Sequence, residues 1–220
     1  MAERRRVILI TGSTDGIGKQ TALELLRGGH HVIVHGRSRP SVEAAVAALG
    51  AAVPAAGGEG RLDAVSFDLG ALASVRRGAA ELIERFPAID VLVNNAGIFA
   101  AERAVTADGV ELTFAVNYVG PFLLTHLLSP ALERGAPARV INLSSIAHTR
   151  GRIHLDDLGL AKAYTGYAAY AQSKLAVVMH ALSLAERWAP TAIAAYSVHP
   201  GVVETKLLRQ GFGPVRGLSV

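Results

Sequence analysis

The chain of 220 residues contains no cysteine. That removes disulfides, thiolate metal ligands and a cysteine nucleophile at once, and it suits a reducing compartment. Charge is sparse too: 18% of the residues are Asp, Glu, Lys or Arg against 50% apolar, and the net charge is only +4. Such a balance belongs to a packed globular core rather than a disordered segment. The basic residues are scattered, apart from Arg4-Arg5-Arg6 ahead of the first apolar run. That triplet reads as a solvated strand flank, and no nucleic-acid partner is expected. No apolar stretch nears the ~18 residues that span a bilayer, and the run Val7–Ile10 is too short for the core of a secretory leader. A cytoplasmic protein with no membrane partner is therefore expected. His-Glu-x-x-His and Gly-x-Ser-x-Gly are missing as well, so neither a metal site nor a hydrolase elbow is expected.

What is present is alternation. Apolar, β-branched runs at 7–10, 32–35, 62–67, 91–94, 139–143 and 194–198 are separated by helical patterns at 17–27, 41–49, 72–85, 110–133 and 167–188. Apolar runs bounded by turn residues read as strands buried on both faces. Repeated strand–helix–strand order then implies an α/β, doubly wound parallel sheet with helices on both faces. The length suits a single domain over 1–220. Segment 50–60, rich in Ala, Gly and Pro, reads as a loop, and Pro121 should kink or displace the 110–133 helix.

The first strand runs into Thr11-Gly12-Ser13-Thr14-Asp15-Gly16-Ile17-Gly18 and then a helix. Gly12 permits a tight turn, Gly16 lets backbone approach a pyrophosphate, and Gly18 lets the helix pack close to the sheet. The helix start then offers unpaired N–H groups and partial positive charge to phosphates. The preceding strand and following helix supply the context that a bare glycine pattern lacks. In this T-G-x-x-x-G-x-G form the sequence resembles the short-chain dehydrogenase/reductase family, with Ser13, Thr14 and Ile17 completing the cradle.

The second strand ends in His35-Gly36-Arg37-Ser38-Arg39, without the Asp or Glu that accepts from a ribose 2′-hydroxyl in NAD sites. A guanidinium matches a 2′-phosphate instead. Arg37, helped by Ser38, therefore points to NADP(H) over NAD(H), although Asp15 stands where many NADP-preferring relatives carry a basic residue. Asp68-Leu69 after the third strand lies beside the adenine in the family, and Asp68 is equally suited to capping a helix. Asn94-Asn95-Ala96-Gly97 is a family signature. The resemblance implies that Asn94 ties the central sheet together while Asn95, Ala96 and Gly97 line the cofactor.

Tyr170 and Lys174 stand four apart in a helical stretch, hence on one face. A free phenol has a pKa of ~10 and exchanges protons poorly near neutrality; lowering it by about three units takes roughly 4 kcal/mol. A neighbouring ammonium and a cationic nicotinamide are suited to that task. Such pairs also arise by chance, but Tyr164 and Tyr167 have no lysine four residues on. The family carries a serine and then Tyr-x-x-x-Lys after the fifth strand. Ser145 matches that serine, with Ser144 as the alternative, and would stabilise charge on the substrate oxygen. Asn117 matches the family's helix asparagine, which holds a water leading to the lysine. Pro200, Gly201, Val203 and Thr205 match the turn facing the nicotinamide; Tyr170 and Lys174 also touch the cofactor.

Residues 147–154, Asp156-Asp157-Leu158 and 12–21 are similar to the retinol-dehydrogenase-like branch. That implies an apolar alcohol, aldehyde or ketone substrate, reversible hydride transfer, and a homodimer or homotetramer. The resemblance runs from Val7 to Thr205, whereas relatives continue through a substrate lid and a seventh strand, so those parts are expected to be curtailed. The competing expectation is a catalytically weak or inactive NADP(H)-binding module acting as a sensor or scaffold.

Overall fold

The computed structural model describes residues 4–53, 60–201, 203 and 207. Six strands, β1 (Val7–Ile10), β2 (His31–Gly36), β3 (Arg61–Ser66), β4 (Val91–Asn94), β5 (Ala138–Leu143) and β6 (Ile193–Val198), form one sheet in the order β3-β2-β1-β4-β5-β6. Every pairing is parallel. All residues of β2 and β4 are buried, their apolar middles filling both faces and His31, His35 and Asn94 buried as polar residues at their ends.

The pleat sorts the side chains into two cores. Leu9, Ile33, Leu92 and Val140 face one side, under Val75 and Leu82 of α3 (Leu72–Arg85), Leu124 of α5 (Gly120–Leu127), Leu132 of α6 (Ser129–Arg134) and Leu184 and Trp188 of α7 (Gly166–Trp188). Ile8, Ile10, Val32, Val34, Val91 and Val93 face the other, under α1 (Gly16–Arg27) and α2 (Arg39–Ala52). Each fully buried aliphatic side chain contributes roughly 1.5–3 kcal/mol before the entropy of ordering it. A polar tie joins the strands at the centre. Asn94 Nδ2 donates to Asn142 Oδ1 at 2.9 Å and to Thr125 Oγ1 at 3.0 Å, linking β4, β5 and α5.

The expected helix over 110–133 is in fact four pieces. Glu111 caps α4 (Leu112–Phe114) by accepting from Thr113 N–H and Phe114 N–H. A π-helical turn follows over Ala115–Val119, closed by Gly120 N–H donating to Ala115 C=O, and then come α5 and α6. Pro121 has no N–H to offer the carbonyl four residues back, which is that of Asn117, so the ladder widens there. Pro130 imposes the second break, at the start of α6. Pro40 similarly begins α2 earlier than expected, and that helix continues through Gly50 to Ala52. The remainder of the expected 50–60 loop falls mostly outside the described residues.

Candidate active site

Strand order reverses direction between β1 and β4, and a cleft of about 700 Å³ opens there, at the carboxyl ends of the strands. This is where ligands bind in open parallel sheets. On one wall stand Gly12, Thr14, Gly16, Ile17 and Gly18 from the turn, with Arg37 from the end of β2 and Asp68 and Leu69 from beyond β3. On another stand Asn95, Ala96 and Gly97 after β4. Ser145, Tyr170 and Lys174 close the far end with Pro200, Gly201 and Val203.

The glycine turn is braced from both neighbouring strands. Thr11 Oγ1 donates to Val93 C=O and accepts from Asn95 N–H (3.0 Å) and Ala96 N–H (3.1 Å). Asn95 Nδ2 donates to Thr11 C=O and Gly12 C=O at 2.8 and 3.0 Å. The packing admits no larger residue. Gly12 has φ +64°, and a Cβ there would sit 2.7 Å from Ala96 Cα. A Cβ on Gly18 would sit 2.6 Å from Gly12 O and closer still to the Asn95 amide. The turn therefore leaves backbone bare beneath the start of α1, a cradle suited to a dinucleotide pyrophosphate. Asp15 caps that helix, its Oδ1 accepting from Gly16 N–H at 2.9 Å.

Three expected site residues do not line the cleft. Ser13 is fully buried; its hydroxyl donates to Ile10 C=O at 2.7 Å and accepts from His35 N–H at 3.0 Å, so it braces the turn from behind. The Ser38 hydroxyl donates to Ser41 Oγ at the start of α2. Asn117 is buried beside the cleft rather than lining it. Its Oδ1 accepts from Ile98 N–H at 2.8 Å, and its Nδ2 donates to Ile98 C=O and Ser173 Oγ, each at 3.0 Å. The π-helical turn is thereby stapled to α7 and to the chain beyond β4. Thr205 lies outside the described residues.

At the catalytic end, Ser145 caps a 3₁₀ turn (Ile146–Arg150) and shares a hydrogen bond with the Tyr170 side chain. Ser144 is spent elsewhere: it is buried, and its hydroxyl donates to Lys174 C=O at 3.0 Å. Lys174 Nζ donates to Leu143 C=O at 2.8 Å and lies 5.6 Å from the centre of the Tyr170 ring. Burial pushes the lysine down to about 8. Burial also pushes the Tyr170 phenol above its ordinary value, and the Ser145 hydrogen bond opposes this only in part. The lowered phenol expected of the lysine together with a cationic nicotinamide is thus not a property of the chain alone. Desolvation penalises the phenolate and the ammonium alike.

Sequence reasoning passed over several lining residues. His35, Gly36 and Phe67 stand on the Arg37 side; Ile98, Ile146, Ala147, Tyr167, His199 and Leu207 stand around the catalytic end. His35 carried one signal, a polar residue closing an otherwise apolar strand. Among the described residues there is no group of three or more potential metal ligands. Also among them, no helix is long and apolar enough to cross a membrane.

Residues 6–212 match the family described as short chain dehydrogenase. The chain belongs to that family. Human retinol dehydrogenase 13 is 41% identical over 205 residues, which cover 93% of this chain and 61% of the relative. The chain thus spans about three fifths of the length of that curated relative. Among solved structures, an uncharacterized protein from Mycobacterium paratuberculosis is 38% identical at a TM-score of 0.79, over 92% of this chain and 70% of that one. The Pseudomonas aeruginosa RhlG/NADP active-site complex is 31% identical at 0.73, over 93% and 75%. Family and Rossmann-like architecture agree with the sequence-based expectation, as does the retinol-dehydrogenase-like branch.

Proposed function

We propose that this short-chain dehydrogenase catalyses reversible, NADP(H)-dependent interconversion of an apolar alcohol and its aldehyde or ketone, with Tyr170 as general acid and base. The observation that carries this reading is the meeting of Ser145, Tyr170 and Lys174 in the cleft that also holds the braced glycine turn. Bound NADPH supplies hydride to the substrate carbon.

The backbone of the turn and the start of α1 hold the pyrophosphate, with Gly12, Thr14, Gly16, Ile17 and Gly18 as the cradle. Arg37 takes the 2′-phosphate through charge-assisted hydrogen bonds. Its position on the cleft wall and the lack of an acid at the end of β2 support NADP(H), as does the family member solved with NADP. Asp68 and Leu69 flank the adenine, Asn95, Ala96 and Gly97 the middle of the cofactor, and Pro200, Gly201 and Val203 the nicotinamide.

In reduction, the Ser145 and Tyr170 hydroxyls donate to the substrate carbonyl oxygen and stabilise negative charge as it develops. The Tyr170 proton then passes to that oxygen, leaving a phenolate opposite the Lys174 ammonium; oxidation runs the same transfer backwards. Asn117 fixes the π-helical turn to α7, and the family resemblance gives it the water that returns a proton to Lys174. Ile98, Ile146, Ala147, Tyr167 and Leu207 around this end favour an apolar substrate.

Loss of NADPH absorbance against a panel of long-chain and aromatic aldehydes and ketones tests the proposal. Turnover that vanishes in Tyr170→Phe is expected. Tight NADPH binding with no turnover anywhere in the panel would replace it with a cofactor-binding module. The reading extends to a homodimer or homotetramer through α5 and α7, whose Phe122, Met179 and Leu182 are exposed. Light scattering that finds only monomer removes that part.

A further inference from the structure

The glycine turn has a brace with no counterpart in the sequence reading. His35, the penultimate residue of β2, is 2% exposed and lies in the cleft wall. Its Nδ1 accepts from Gly12 N–H at 3.1 Å, and its Nε2 stands 3.0 Å from Phe67 C=O, beyond β3. Both partners are backbone groups with fixed roles. An amide N–H can only donate and a carbonyl can only accept. The ring is thereby forced into the neutral tautomer that carries its proton on Nε2. A second proton, on Nδ1, would face the Gly12 N–H and break that bond. The same imidazole packs on the Phe67 ring, with centroids 4.1 Å apart. The backbone pairing around it is continuous: Ser13 N–H donates to His35 C=O and Phe67 N–H to Gly36 C=O.

We infer that His35 is a positioning residue for the dinucleotide, a strut that sets Gly12 against the end of β3 so that the turn is held in its cofactor-accepting shape before ligand arrives. The inference rests on the proposed dinucleotide site and adds a residue to it. The strut has two ends, and they can be cut separately. Asn carries an acceptor at the distance of Nδ1 and can keep the Gly12 bond, but it is too short for Phe67. Gln reaches Phe67 with its amide donor and leaves Gly12 N–H unpaired, and Ala cuts both ends. A buried donor without a partner is costly, whereas a packing gap alone should favour the larger Gln over Asn.

The test measures the dissociation constant for NADPH by its fluorescence, together with kcat and KM, for wild type, His35→Asn, His35→Gln and His35→Ala. A far-ultraviolet thermal melt checks that each variant folds. NADPH should bind His35→Asn within about threefold of wild type and His35→Gln and His35→Ala about tenfold more weakly, with kcat at saturating NADPH changed less than threefold. Long-range ¹H–¹⁵N spectra of the wild-type protein should show the His35 ring neutral with its proton on Nε2 from pH 8 down to pH 5.5, which is readable even if a variant fails to fold. Equal affinity in all four proteins, equal loss in the Asn and Gln variants, or a ring protonated on Nδ1 would overturn the strut. Absence of NADPH binding by wild type would instead overturn the dinucleotide site itself.

Discussion

The two ends of the cleft differ in how far the chain alone completes them. At the glycine-turn end, Thr11, Asn95, Ser13 and His35 hold the backbone in place with hydrogen bonds whose partners are all internal. Nothing there waits for a ligand to set the geometry. At the tyrosine end the side chains have met, but burial works against the phenolate that alcohol oxidation needs near neutral pH. Burial holds the Tyr170 phenol high and the Lys174 ammonium low. Geometry is thus furnished by the fold, while on the proposed mechanism bound charge would finish the electrostatics of the tyrosine.

The sharpest way to break this contrast is Tyr170→Phe. Removing one oxygen should lower kcat about a thousandfold by loss of general acid–base catalysis, while NADPH affinity stays within about threefold, as fluorescence titration would show. A large loss of affinity would mean that the two ends are not separable.

Acid should attack the braced end first. His35 is pushed down to about 4, against 6.5 when unfolded. Between those values the unfolded chain takes a proton that the folded chain refuses, so stability is lost as pH falls through that window, by up to about 3 kcal/mol for this residue. Urea melts at pH 7 and pH 4.5 should show a shallower decline for His35→Asn than for wild type.

Lys174→Met should do the opposite of a usual core substitution at the catalytic end. It removes a buried ammonium, so the folded state at pH 7 should gain up to about 2 kcal/mol even as turnover collapses. The sign follows from the lysine's lowered value of about 8 against 10.5. From pH 8 to 10.5 the unfolded wild type binds more protons than the folded one, so wild-type stability rises and the variant's advantage shrinks. Denaturant melts at pH 7 and pH 10 test this.

The smallest expected effect is on cofactor choice. Arg37→Ala should weaken NADPH about tenfold and NADH less than twofold, because only the former carries the phosphate that a guanidinium grips. Equal losses would detach Arg37 from the 2′-phosphate.

What could be read from the sequence was what depends on near neighbours. Apolar runs bounded by turn residues identified the strands, and turn glycines followed by a helix identified the cradle, because each is a pattern within a dozen residues. The Tyr170–Lys174 face was legible for the same reason. The burial that raises the Tyr170 phenol in the chain alone was not, since spacing names a neighbour and says nothing of burial. His35 stayed hidden because its partners, Gly12 and Phe67, meet it only through the β1–β2–β3 pairing. Ser13 and Ser38 fit the cofactor motifs by position, yet their hydroxyls turn to local partners, a choice short polar side chains make readily. The break at Pro121 was foreseen, but not its π-helical form, which is tied to the Asn117 contacts with Ile98 and Ser173.

The difference between the two ends can be measured on one hydroxyl. Ultraviolet difference titration of wild type against Tyr170→Phe, with and without saturating NADP⁺, isolates the ionisation of that phenol. It should titrate above its ordinary value of ~10 in the free chain and well below it in the complex. A phenol that stays high in both states would contradict the assignment of Tyr170 as the proton-exchanging group.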